Sequence, residues 1–215
     1  MTALTDYLLA IVGLWLGLLL WRYRVRGQRA QLLWVAAFLA TAVAAAAGGA
    51  FHGSVGGLAA EGLLWKVAVF SVGVAACFML AAAGFGACHP KLRTVLVVVA
   101  VAQLAVYGWW MSVHDGFRFV VIDYASAMAA VLLLCFAAWV RKDDRAGGWT
   151  VSGILVSFLG AGVEAVGWPQ YARFNHDALY HLIQILALWL FYRGATLARD
   201  CASPGAVGDR PRVLE

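Results

Sequence analysis

Three histidines at the ends of apolar segments carry the chemistry this chain can do. His52 closes the run "AAAAGGAFHG", and His176 and His181 open the run "NHDALYHLIQ". Three imidazoles at one depth are what a catalytic zinc ion requires. Zinc takes ligand nitrogens at about 2.0–2.1 Å and leaves a fourth position for a water whose pKa it lowers to about 7. Carboxylates that can orient an imidazole or accept the water proton are close in sequence: Asp177 beside His176, Glu164 near the end of the sixth apolar run, and Asp123 at the start of the fifth. The expected site has zinc on His52, His176 and His181, with Asp177, Glu164 and Asp123 as candidate acid–base groups. Plainer roles stand beside these. Asp123 can cap or anchor its helix, Glu164 can partner a Tyr, Ser or His in the core, and a His next to an acid in a loop, as His114 is, can simply be solvated.

Helical spacing groups these residues further. Asp177, His181, Gln184 and Leu188 fall on one stripe, because positions i, i+4 and i+7 differ by about 40° or less around a helix. His176 precedes His181 by five residues, about 140° away, and joins the stripe if Asn175 caps the helix and the first turn is irregular. Gln103, Tyr107 and His114 share a face of the fourth run, a polar track reaching towards mid-membrane. Glu164 sits among Gly160, Gly162 and Gly167, which let a neighbouring helix come close.

The elements that must position these groups follow from composition. Of 215 residues, 64% are apolar and 13% charged, about half the charge a soluble domain carries. Each membrane span needs roughly 20 apolar residues to cross about 30 Å of hydrocarbon. Seven runs qualify, at 5–22, 31–52, 62–84, 94–113, 119–140, 149–168 and 176–197. They are continuous rather than alternating, which selects helices over a barrel. The first run is no cleaved signal: Asp6 flanks its start, an Arg cluster its end, and no A-x-A site follows. The expectation is an all-α polytopic membrane protein of seven helices, one domain over 1–199, with a polar, disordered tail over 200–215.

The net charge of +5 is explained by topology rather than by nucleic acid. With the N-terminus outside, thirteen Lys and Arg residues, from the Arg22–Arg29 cluster to Arg210 and Arg212, face the cytoplasm. Only Lys66, Arg118 and Arg173 face the other side. The chain is therefore expected N-out and C-in, in a bacterial inner membrane. Its polar groups then gather at the outer end; of the five histidines only His89 is cytoplasmic. Cys77, Cys88, Cys135 and Cys201 are placed for packing, not for disulfides. Tryptophans at both ends read as aromatic belts.

The helix 2 piece with His52, the helix 7 piece with His176 and His181, the helix count and the N-out orientation together resemble the CREST superfamily of alkaline ceramidases and progestin and adiponectin-type receptors. The chain reads as a divergent bacterial-type member. The resemblance implies zinc at these three histidines and hydrolysis of the acyl or amide bond of a lipid substrate. Gly48 stands where the family has a Ser, Glu61 is the nearest acid to the start of helix 3 where the family has an Asp, and H-x-x-x-x-H replaces H-x-x-x-H. The competing function is a non-catalytic or transporter-like pocket for a small hydrophobic ligand. A retinal protein is excluded by the lack of a Lys in helix 7, and no His within the cytoplasmic half of a span offers a second haem site.

Overall fold

Helices form wherever the apolar runs predict them, and most begin or end a few residues beyond the apolar stretch. The computed structural model describes residues 2–53, 58–87, 90–142, 144–171 and 174–201; Cys88, His89, Arg173, Arg210, Arg212 and the tail beyond 201 lie outside them. Seven α-helices are described: α1 (Thr2–Tyr23), α2 (Arg29–Gly53), α3 (Leu58–Ala87), α4 (Pro90–Val113), α5 (Phe117–Lys142), α6 (Arg145–Val166) and α7 (His176–Leu197). In water, helix ends fray where no apolar face is buried; here α1 continues through Thr5 and Asp6 because both are buried. Six helices, α1 to α6, are long and apolar enough to cross a membrane, as an integral membrane protein requires. α7 is as long as α1, but His181, Gln184 and Arg193 dilute its apolar character and it falls outside that set.

The helices close a ring. α1 packs on α2, α2 on α3, α3 on α5, α5 on α6, α6 on α7, and α7 returns to α1; α4 lies outside, against α3, and barely touches α5. The ring interior is filled by Leu16, Phe38, Met79, Met128, Ile154 and Phe191, with Trp34 stacked on Phe191 at 5.6 Å. Between apolar helices in lipid, close packing rather than water exclusion supplies the attraction, so small residues mark the tightest seams. On the α6–α7 seam a Cβ at Gly153 would lie 2.7 Å from the Phe191 ring, and one at Gly194 would lie 2.7 Å from Thr150 Oγ1.

Two connections bear on function. Between α6 and α7, a break that reads as a plain loop holds a two-residue antiparallel ribbon, β1 (Gln170–Tyr171) and β2 (Phe174–Asn175), entered through Gly167 in the left-handed region at φ 69°. A residue with positive φ ends α6, as helix C-termini favour. At the other end of the bundle, Asp200 and Cys201, expected in a disordered tail, are stitched to the fold. Asp200 accepts from the backbone N–H groups of Arg29 and Ala30 at 3.0 and 2.8 Å, capping α2 from a distant part of the chain, and Cys201 N–H donates to Phe85 O at 2.8 Å.

Candidate functional site: a carboxylate–imidazole cluster

Asp6 is the centre of the site, although its sequence position suggests no more than a flanking charge. It lies one turn into α1, 4% exposed. Gly48 and Gly49 of α2 let α1 approach: a Cβ at Gly49 would lie 3.1 Å from the Asp6 Cβ, and one at Gly48 would lie 3.4 Å from Oδ1. The carboxylate joins two helices. Its Oδ2 accepts from Nδ1 of His52 at 2.8 Å, and its Oδ1 lies within ion-pair distance of Nε2 of His181, at 3.1 Å. The other ring nitrogen of His181, Nδ1, lies 3.1 Å from Thr5 Oγ1, which is also 2.9 Å from Thr2 O. His181 is therefore buried with a polar neighbour at each ring nitrogen. The His52 side chain is 40% exposed and, among the described residues, is hydrogen-bonded through Nδ1. A buried acid in an apolar helix at the depth of two histidines was the signal that could have found Asp6.

A second group forms around His176. Asn175 caps α7 as its type and position predict, its Oδ1 accepting from Ala178 N–H at 3.2 Å, while its Nδ2 donates to Asp177 Oδ2 at 2.6 Å. Thr2 Oγ1 lies 3.3 Å from the same Asp177 oxygen, which ties α1 to the start of α7. Asp177 Oδ1 is 3.4 Å from His176 Nε2, and Glu164 Oε1 is 3.8 Å from it. The two groups are neighbours, since His52 lies within the fields of Asp6, Asp177 and Glu164.

The three histidines therefore do not converge on one point. His52 and His181 hold Asp6 between them, whereas His176 turns to Glu164 and Asp177. α7 is regular from its first residue, so the angle of about 140° set by five-residue spacing persists and sends the two imidazoles to different partners. Among the described residues, one set places a ligand atom each within 4.8 Å of the others: Glu164, His176 and Asp177. One turn deeper, Ser157 Oγ donates to Gln184 Oε1 at 2.8 Å and Gln184 Nε2 donates to Ser157 O at 3.1 Å, so the expected stripe on α7 continues as a closed pair.

The remaining expectations lie elsewhere. Asp123 accepts from Gln103 Nε2 at 3.0 Å and, among the described residues, makes no hydrogen bond to a histidine. Tyr107 donates to Val69 O at 2.9 Å, and His114 stacks on Trp110 at 4.1 Å. The fourth helix's polar residues are brackets, not a track, because α4 stands outside the ring and must be fastened to α3 and α5.

The chain belongs to the DUF6962 family. This is a family of unknown function, and its match covers residues 1–200, every residue of both groups included. No curated protein matches the chain.

Proposed function

We propose that this DUF6962 protein is a membrane-embedded hydrolase acting on the acyl or amide bond of a lipid, with seven spans, an external N-terminus and its site at the outer face, in a bacterial inner membrane facing the periplasm. The asymmetric distribution of Lys and Arg supports the orientation. α7 then serves as the seventh span, its polar turns directed at the cluster rather than at lipid. The observation that carries the catalytic reading is the Asp6–His52 pair: a nearly buried carboxylate on Nδ1 of a half-exposed imidazole.

Asp6 holds the His52 proton on Nδ1, which leaves Nε2 bare to take a proton from an attacking water. As the water oxygen bonds to the acyl carbon, the buried carboxylate stabilises the imidazolium that forms. The imidazolium then returns the proton to the departing amine or alkoxide. An open depression of about 760 Å³ bordered by Phe51, Leu63 and Trp65 adjoins the pair, and Phe51 meets the His52 ring edge-on at 5.4 Å. Its walls set the apolar Phe51, Leu63 and Trp65 beside the charged Glu61, Lys66 and Asp115, a mixture that suits a lipid's acyl chain and polar head group together. Zinc on His52, His176 and His181, which the CREST resemblance implies, does not suit this arrangement, because His181 already engages both ring nitrogens; no step runs through that set.

The test is fatty-acid release from a panel of lipid amides and esters by detergent-solubilised protein. Wild type is expected to turn over at least one class, and His52→Gln and Asp6→Asn to lower turnover about 100-fold or more. No release from any lipid, or wild-type turnover by His52→Gln, sinks the reading. Gly48 in place of the resembled family's Ser, and the lack of its Asp at the start of helix 3, favour the rival reading, a non-catalytic or transporter-like ligand pocket; tight ligand binding without any release would establish it.

A further inference from the structure

We infer that Glu164, His176 and Asp177 form a binding site for a single first-row divalent metal ion, zinc foremost, separate from the Asp6–His52 pair. Four observations converge on it. First, the spacing is that of ligands and not of hydrogen-bonded ion pairs. His176 Nε2 lies 3.4 Å from Asp177 Oδ1 and 3.8 Å from Glu164 Oε1. A charge-assisted N–H···O contact closes to about 2.7–2.9 Å. Ligand atoms arranged tetrahedrally about 2.0–2.1 Å from an ion stand about 3.3–3.4 Å apart.

Second, two carboxylates are held against each other. Glu164 and Asp177 are within hydrogen-bonding reach, both about two-thirds buried, and among the described residues their ion-pair partner is the same imidazole. Like charges this close in a low-dielectric setting are relieved by a shared proton or a shared cation, and the imidazole beside them makes a cation site of the pair. Third, two polar atoms of the set, Glu164 Oε2 and His176 Nδ1, are buried without a hydrogen-bond partner among the described residues. Such orphans are rare in a finished network.

Fourth, the ligands are held in place by their surroundings. Glu164 ends α6 just before its Gly167 cap, and His176 and Asp177 open α7 just after its Asn175 cap, with the β1–β2 ribbon joining the two ends. Asn175 and Thr2 occupy Asp177 Oδ2, which leaves Oδ1 directed at the site. Outer hydrogen bonds of this kind are how ligand carboxylates are oriented. One imidazole with two carboxylates leaves room for water or substrate and suits zinc or another imidazole-binding divalent ion over calcium or magnesium. The site adds an electrophile beside the hydrolytic pair and does not depend on that pair being catalytic.

The test is metal content. Full-length protein in detergent is freed of metal with a chelator, dialysed, and titrated with Zn²⁺, and with Co²⁺ as an optical reporter of coordination. Wild type is expected to bind about one equivalent per chain. Glu164→Gln, Asp177→Asn and His176→Ala are expected to lose at least tenfold in affinity while keeping wild-type helicity and elution, and His52→Gln is expected to bind as wild type does. Wild type that takes up no Zn²⁺, or metal lost in His52→Gln and retained in Glu164→Gln and Asp177→Asn, overturns the site. Bound zinc without hydrolysis of any lipid overturns the proposed activity alone, and hydrolysis by wild type that takes up no Zn²⁺ overturns the metal site alone.

Discussion

Asp6 does the work of three residues: it pairs with His52, pairs with His181, and brings α1 to the faces of α2 and α7. Removing a carboxylate buried between two imidazoles leaves both without their acceptor in a low-dielectric interior. Breaking a buried charged pair costs about 3–5 kcal/mol. Asp6→Ala is therefore expected to lower the unfolding midpoint of the detergent-solubilised protein by several degrees. Asp6→Asn, which keeps one acceptor oxygen, should lose less than half as much. Equal melting of Asp6→Ala and wild type, followed by intrinsic fluorescence, would show that the bridge does not hold the helices. The residue types of the site were legible in the sequence, since His52, Glu164, His176, Asp177 and His181 are all intramembrane ionisable groups. Their pairing was not. Which carboxylate meets which imidazole depends on contacts distant in sequence, Asp6 with His52 46 residues on and with His181 in the last helix, and hydropathy treats Asp6 as a boundary charge because it stands near the end of its run.

At the scale of elements, the α6–α7 seam sets how far apart Glu164 and His176 can stand. Gly153 faces Phe191, which is 1% exposed and has nowhere to move, whereas nothing lies within 4 Å of a Cβ placed at Gly162 on the same helix. Overpacking a close seam costs about 1–3 kcal/mol. Gly153→Ala is expected to destabilise by that amount, and Gly162→Ala to be neutral or slightly stabilising because alanine is the better helix former by about 1 kcal/mol. Thermal unfolding of the two variants in parallel checks this, and equal melting points would contradict the packing of the seam. The glycines around Glu164 were visible as small residues that admit a neighbour. Which of them actually meets one was decided by the rotation of α6 against α7.

For the whole molecule, the proposed orientation places both the N-terminal turn and the cluster outside and the C-terminus inside. A green fluorescent protein fused to the C-terminus in a bacterial host is expected to fluoresce, and an alkaline phosphatase fused there to be inactive; the reverse pattern would invert the topology and move the site to the cytoplasmic face. Sequence alone determined the all-α class, the seven helical segments, the Asn175 cap and the gathering of ionisable groups at one end. These are properties of consecutive residues: apolar run length, local capping and the alternation of short connections. Tertiary structure alone decided that α4 stands outside the ring, that Gln103 and Asp123 fasten it there, that Asp200 caps α2, and that the three histidines divide between Asp6 and the Glu164–Asp177 pair. The physical reason is that an apolar helix in lipid looks the same on every side to its own sequence, and only the shapes of its neighbours choose which face turns inward.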